Sequence, residues 1–272
     1  MAGRLFLCAT PIGNLEDASP RLARTLEEAD VVYAEDTRRT AKLLSALGVA
    51  ADLRSYFVGN ERRRTASVAA ELAAGRDVAL VTDAGSPSVS DPGASAVAAA
   101  RQVGAEVVVV PGPSAVTAAV MGSGMVDGRF VFEGFLERKG RERSRQLERI
   151  ADSDAPTVLF LSPHRAVADV EALTEACGAD REVCVGRELT KVHEELWWGT
   201  LSELAERWRD DRPRGEITLV IAEAVAASPD TEDALELARQ LVAEGKTASA
   251  AAREAAEATG VARREIYDRL VR

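Results

Sequence analysis

Four times in this chain a short apolar run gives way at once to a turn rich in glycine and proline. The turns are ATPIGN (9–14), TDAGSPSVSDPG (82–93), PGPSA (111–115) and FLSPHR (160–165). The runs ahead of them are short and dominated by Val, Leu and Phe, which suits strands buried on both faces. Strand runs at 5–9, 31–34, 78–82 and 107–110 alternate with helical stretches at 20–29, 39–47, 63–74 and 94–103. Gly48, Gly75 and Gly104 stand where helix C-caps belong. Such alternation requires right-handed crossovers and therefore a parallel sheet.

The pattern restarts after Gly124, with strands expected at 129–133, 157–161, 182–186 and 217–222, and helices at 141–151, 165–177 and 201–210. From Ala224 the composition shifts to alanine and charge, with a break at Ser228-Pro229-Asp230 and then a helix, a Thr259-Gly260 turn and a helix. The expected class is α/β: an N-terminal α/β domain over 1–114, a second over 115–225, and a helix-turn-helix-like tail over 226–272. In open parallel sheets the carboxyl ends of the strands line the ligand crevice. Three turns from the first half and one from the second would then face each other across an interdomain cleft. One such turn is ordinary loop chemistry; four at strand ends point to a ligand.

Charge and cysteine content narrow the classes. The net charge of −10, from 44 acidic and 34 basic residues, argues against binding by nonspecific phosphate attraction but leaves room for a local basic patch. Cys8, Cys177 and Cys184 have no metal-like spacing and read as free thiols of a reducing compartment. No signal peptide is expected at the N-terminus, and the apolar stretch at 107–125 is broken by Pro111, Gly112, Pro113, Gly122 and Gly124. A soluble cytoplasmic chain without a metal is the expectation.

Three motif fragments fail on their spacing. Gly245-Lys246-Thr247 lacks the first glycine of a phosphate-binding loop, because position 240 is Gln240. Gly122-Ser123-Gly124 lacks the third glycine of a dinucleotide fingerprint, where Asp127 stands. His193-Glu194 opens a zinc-protease motif, but Trp197 replaces the second histidine. No serine-hydrolase elbow occurs either.

The segments ATPIGNLED (9–17), AEDTRRT (34–40), VTDAGSPSVSDPG (81–93), VPGPSAVTAA (110–119), RFVFEGFLERK (129–139), SPHR (162–165) and GRELTKVHEELWWGTLSEL (186–204) occur in this order. Together they resemble the tetrapyrrole methylase superfamily and, within it, the ribosomal RNA small subunit methyltransferase I family. The resemblance spans nearly all of residues 4–222. It departs at Leu161, where the family often has Glu, and in SYFVGNE (55–61), where the family often has histidine and this chain has Val58. Neither side chain titrates, so a general base is not to be sought there.

The resemblance implies two α/β domains with S-adenosylmethionine (SAM) in the cleft, in a homodimer. It also implies methylation of a cytidine ribose 2′-hydroxyl in the decoding region of 16S ribosomal RNA of the small subunit. On this reading Pro11, Ile12 and Gly13 close on the cofactor. Asp83, Ala84, Gly85, Ser86 and Val89 meet it from the second turn, Ser114 and Ala115 from the third, and Leu161 and Leu189 from the second domain. A sulfonium donor needs chiefly alignment, while the poor hydroxyl nucleophile needs a proton acceptor or a cation near its oxygen. Candidates for those roles are Asn14, Glu35, Asp36, Arg38, Glu188 and Lys191, with Asp36 equally suited to capping a helix and Glu188–Lys191 to a surface ion pair.

For RNA, the stretch 137–149 holds six cations against three anions. Arg138, Lys139, Arg141, Arg143 and Arg145, with His164 and Arg165, are the phosphate candidates, and Arg62-Arg63-Arg64 is a second cluster. Both clusters also suit solvated helix faces. Two other classes remain open: a C-methyltransferase on a cobalamin or sirohaem precursor, and a nucleic-acid-binding regulator whose α/β body senses a small molecule.

Overall fold

In the computed structural model, which describes residues 1–224 and 231–271, five strands of the first half form one parallel sheet. They are β1 (Arg4–Cys8), β2 (Val31–Ala34), β3 (Leu53–Ser55), β4 (Val78–Val81) and β5 (Glu106–Val110), in the order β3-β2-β4-β1-β5. Cys8 lies beside Val81 and Val110, and Ala34 beside Val81 and Ser55, so all five strands end along one line. Alternate residues feed two cores. Leu5, Val31, Tyr33, Val78 and Leu80 pack with α3 (Glu61–Ala73) and α4 (Ala94–Gln102); Cys8, Val32, Ala34, Ala79 and Val81 pack with α1 (Pro20–Glu28) and α2 (Thr37–Leu47). Each fully buried Val or Leu contributes about 1.5–3 kcal/mol, and burial on both faces is why these strands read as unbroken apolar runs. The chain turns out of α2 at Gly48, whose φ of +70° suits glycine.

The second sheet is mixed. Its strands β6 (Val131–Phe135), β7 (Thr157–Leu161), β8 (Glu182–Arg187), β9 (Glu195–Thr200) and β10 (Ile217–Ile221) run β6-β7-β10-β8-β9, parallel only between β6 and β7. One face covers a core with α6 (Arg141–Ala151), α7 (Ala166–Cys177) and α8 (Leu201–Asp210). The other takes α5 (Ala115–Ser123), through Val116 and Ala119 on Val158, Cys184 and Val220. Ile12, from the turn after β1, is buried in that same cluster beside Leu189. Register sets Ile217 opposite both Leu161 and Arg187, which brings the end of β7, the start of β10 and the end of β8 to one edge. Residues 1–223 form one compact unit containing both sheets.

The C-terminal unit is helical. It contains α9 (Thr231–Ala243), α10 (Ala248–Thr259) and α11 (Arg263–Leu270) around Leu235, Ala238, Ala251, Ala255 and Ile266. Thr247 caps α10, and Gly260 at φ +76° makes the expected turn. The expected break at Ser228-Pro229-Asp230, and with it the 225/226 boundary, lies outside the described residues. Among the described residues no helix is long and apolar enough to cross a membrane.

Candidate active site

The turns after β1 and β4 are tied together before any ligand arrives. The backbone N–H of Thr10 donates to the Gly85 carbonyl at 2.9 Å and that of Gly85 to the Thr10 carbonyl at 3.1 Å. Thr10 and Thr82 hydroxyls brace the same loop, reaching the Thr82 and Gly85 carbonyls at 3.3 Å. Across from them lies the edge of the second sheet, and between the two is a cavity of about 410 Å³. That volume falls within the ~300–1,000 Å³ common for small-molecule sites.

One wall is apolar: Ile12, Ala84, Val89, Ala115, Leu161 and the exposed ring of Phe135, which packs at 5.4 Å on Phe160. The facing rim is acidic. Glu35 follows β2, Asp83 follows β4, and Asp91 lies on the long turn after β4, with Arg39 of α2 among them. Asp83 accepts from the Asp36 backbone at 2.8 Å and pairs with Arg39 at 3.5 Å. Burial, helped by the neighbouring Asp83, raises the Glu35 pKa. Burial, with Glu35 and Asp83 nearby, pushes Asp91 up to about 6.

Backbone strain gathers in the same place. Among the described residues, the non-glycines in the left-handed region are Ser88, Ser90, Glu188 and Thr190, at φ of +50° to +70°. The first two lie in the turn carrying Asp91; the others lie after β8 and support the Gly215–Glu216 wall. The Glu188 carboxylate accepts from the Glu216 backbone at 2.8 Å and from Lys191 Nζ at 2.8 Å, and both donors lower its pKa, Lys191 the more. Lys191 also reaches Glu216 at 2.9 Å, and its stem lies so close over Gly13 that a β-carbon there would collide with it.

Of the twelve residues expected at the cofactor, the cavity wall contains Ile12, Asp83, Ala84, Gly85, Ser86, Val89, Ser114, Ala115 and Leu161. Pro11, Gly13 and Leu189 do not line it; Leu189 is buried beside Ile12 in the core. Of the catalytic candidates only Glu35 lines the cavity. Asp36 N-caps α2, accepting from the Arg38 backbone at 2.9 Å, and its carboxylate also grips the Arg38 guanidinium at 2.8 Å, which holds its pKa down to about 2. Asn14 caps the short turn at Leu15–Asp17. Glu188 and Lys191 form the strut just described.

The phosphate candidates divide. Arg138, Lys139, Arg141 and His164 are exposed. Arg143 and Arg165 point inward to the buried Asp169 at 2.8 and 3.1 Å. Arg145 pairs with Glu142. Reading from sequence passed over Arg39, Asp91, Phe135, Phe160, Glu216 and Thr218, all in the wall. Arg39, Asp91, Phe135 and Phe160 fall within AEDTRRT, TDAGSPSVSDPG, RFVFEGF and FLSPHR, whereas Glu216 and Thr218 lie in no motif.

The profile of the family of tetrapyrrole (corrin/porphyrin) methylases matches residues 4–205, and that of the RsmI C-terminal HTH domain matches 228–272. A Synechocystis protein named ribosomal RNA small subunit methyltransferase I is 42% identical over 97% of this chain and 96% of its own length. A Mycobacterium tuberculosis protein of the same name is 43% identical over 98% and 94%. The chain belongs to this methyltransferase family. The Thermotoga maritima relative is 42% identical over 98% of its own length but only 81% of this chain. Among solved structures, a cobalt precorrin-4 methyltransferase matches with TM-score 0.62 at 18% identity, covering 80% of this chain and 94% of that one. A Thermus thermophilus uroporphyrin-III C-methyltransferase solved with S-adenyl homocysteine matches with TM-score 0.58 at 21% identity, covering 82% and 99%. At such identities these structures share the fold with the family member described here.

The methyltransferase cavity suits a SAM-sized ligand. Its apolar wall and exposed Phe135 offer a bed for a planar base, and its acidic rim complements a positively charged sulfonium. Gly85 takes the left-handed φ of +76°, and an added β-carbon there would rest in van der Waals contact with Ile12 Cγ2, at 3.6 Å, and the Pro113 carbonyl, at 3.9 Å.

Proposed function

We propose that this chain methylates the 2′-hydroxyl of a cytidine ribose in the decoding region of 16S ribosomal RNA, within the small ribosomal subunit, with SAM as donor. The observation that carries the reading is 37–43% identity, nearly end to end, to proteins named ribosomal RNA small subunit methyltransferase I. The tetrapyrrole methylases among the solved structures share the fold at about half that identity, so nothing favours a corrin or porphyrin substrate.

When bound, SAM supplies an electrophilic methyl group on a positively charged sulfur. Ile12, Ala84, Gly85, Ser114, Ala115 and Leu161 hold it by backbone approach and apolar contact. Phe135 and Phe160 present a ring surface to it or to the target base. The turns are fixed in advance by the Thr10–Gly85 bridge, and alignment on such a scaffold is worth up to about 7–11 kcal/mol. Glu35 and Asp83 supply a negative field where the positive charge sits. Asp36 and Arg38 fix the start of α2, and the Glu188–Lys191 strut fixes the wall; neither touches the reacting atoms.

The RNA phosphates rest on Arg138, Lys139 and His164, on loops that continue from cavity residues Phe135 and Pro163, and on Arg141 at the start of α6. The helical unit after residue 225 is a separate module of the three-part organisation. The protein acts in the cytoplasm as a homodimer, for which exposed Val109, Met121 and Trp198 offer an apolar surface. The experiment is to map 2′-O-methylation of 16S ribosomal RNA in cells with and without the gene, then restore it with purified protein, SAM and undermodified small subunits. A cytidine mark that depends on the protein is expected; unchanged 16S methylation with methyl transfer to a tetrapyrrole would refute the reading.

A further inference from the structure

We propose that Asp91 takes the proton from the attacking ribose hydroxyl and is the catalytic base of this enzyme. The inference rests on the methyl-transfer reading above.

The charged groups that share the cavity wall with Asp91 are Glu35 after β2, Asp83 after β4, Arg39 on α2 and Glu216 before β10, and of these Glu35 and Asp83 act on it directly. The other three acids already have donors. Asp83 takes the Asp36 backbone and Arg39; Glu35 is eased by the Asp83 backbone amide and Arg39; Glu216 takes Lys191. Asp91 is half-buried, yet among the described residues no hydrogen bond or ion pair reaches its carboxylate. A carboxylate partly withdrawn from water and without a protein donor gains when a ligand supplies one.

The backbone holds it there at a further cost. Ser88 and Ser90 occupy left-handed conformations on the approach to it, at φ +70° and +62°. Two residues beyond, Gly93 at φ +154° packs so closely on Ser88 that an added β-carbon would lie 2.6 Å from its Oγ. Strain of this kind persists where the surroundings over-determine the position, and it gathers at functional sites. Burial and two neighbouring carboxylates raise the Asp91 pKa to about 6, so at neutral pH it is ionised and more basic than an ordinary aspartate. In the step, the hydroxyl O–H bond breaks and its proton passes to the Asp91 carboxylate. The oxygen's electron pair forms the new bond to the methyl carbon. The carbon–sulfur bond breaks with its pair left on sulfur, which becomes a neutral thioether, and Asp91 returns the proton to solvent.

The test uses the full chain, undermodified small subunits and SAM, with single-turnover rates across pH and SAM affinity by calorimetry. Asp91→Asn is expected to slow transfer by about 100-fold or more while SAM affinity holds. The parent rate should rise tenfold per pH unit up to about pH 6 and then level. That limb should vanish in Asp91→Asn and move to lower pH in Glu35→Gln, which removes a like charge. Unliganded Asp91→Asn should melt above the parent at pH 7.5, the gap closing as the pH falls below 6. Parental rates in Asp91→Asn, a loss confined to SAM affinity, a persistent limb or a lower melting temperature would each overturn the proposal with the function intact. A parent that methylates no 16S ribosomal RNA would overturn the function, and this inference with it.

Discussion

Along the helix and loop at 137–149 the arginines look alike in sequence, and replacing them one at a time should separate two kinds. Arg143 has 16% of its side chain exposed and Asp169, on α7, has 4%. Arg143 Nη1 donates to Asp169 Oδ1 and to the Glu137 carbonyl, both at 2.8 Å. Arg165 shares Asp169 at 3.1 Å and also donates to the Leu136 carbonyl at 2.6 Å. The triad therefore pins the loop after β6 to α6 and α7. Hydrogen bonds to charged groups contribute about 1.5–3 kcal/mol. In Arg143→Ala, Asp169 keeps Arg165, so the loss should stay below the ~3–5 kcal/mol of a buried charge left wholly unpaired.

We expect about 2 kcal/mol for Arg143→Ala. At roughly 2–4 °C per kcal/mol for a unit of this size, the melting temperature should fall by about 4–8 °C. Asp169→Ala strands two guanidinium groups and should cost the full ~3–5 kcal/mol. Arg141→Ala, at an exposed position two residues earlier, should stay within about 0.5 kcal/mol of the parent. It should instead make the salt dependence of RNA binding shallower, by about 0.7–0.9 in log–log slope. Calorimetric melting, and filter binding across a range of salt, read the two effects apart. Arg143→Ala with parental melting and a shallower slope would refute this reasoning.

Three further outcomes are expected. Asp36→Ala, which removes the cap of α2 and frees Arg38, should lower the melting temperature and leave methyl transfer intact; a collapse of single-turnover rate at unchanged melting would return Asp36 to the reacting centre. Gly85→Ala forces a side chain to adopt φ +76° and places a methyl group in the cavity, so calorimetry should show weakened SAM binding at a stability cost of about 1–2 kcal/mol, and Gly85→Val should abolish binding in a folded protein. Asp91, with its folded pKa raised from 3.8 to about 6, binds its proton more tightly folded than unfolded, so its contribution to stability falls as pH rises from about 4 to 6. Discounted for partial exposure, Asp91→Asn should gain about 1 kcal/mol above that window and nothing below it, measured by denaturant melts.

Much of the scaffold was legible because burial on both faces leaves a plain mark. Val31–Ala34 and Val78–Val81 are apolar throughout because each alternate residue serves a different core. Strands β3 and β9 escaped notice for the opposite reason. Leu53–Ser55 is three residues with a central arginine, and Glu195–Thr200 is an edge strand of partly exposed residues. The glycine and proline turns announced where a ligand belongs, but not which side chains would face it. Asp36 reads the same in sequence whether it caps or reacts, and its 2.9 Å bond to the Arg38 backbone is visible only in the fold. Asp91 sits in SDPG, a string that reads as turn chemistry ahead of a helix; what distinguishes it is burial without a donor, a property of the assembled cavity. Arg143 and Arg165 became structural because Asp169, one residue in an otherwise ordinary helix, is buried between them.

The placement of cost in this molecule follows one logic. The strands and helices of the parallel sheet hold no non-glycine residue in the left-handed region. Ser88, Ser90, Glu188 and Thr190 adopt unfavourable backbone conformations, at roughly 1–3 kcal/mol each. All four lie in the two loops that border the cleft from opposite sheets. Those loops are held by contacts that cross from one sheet to the other. Ile12 leaves the first sheet and is buried in the core of the second. Lys191 leaves the second, lays its stem over Gly13 of the first and anchors its amine on Glu188 and Glu216. A glycine is needed at position 13 because any β-carbon would displace that strut. Ile12 and Gly13 are consecutive, so the buried isoleucine and the tethered lysine cross side by side and tie the two sheets at that one turn. A reaction that asks mainly for collinear placement of oxygen, methyl carbon and sulfur gains most from such a tie, since the orientation is set before the RNA arrives.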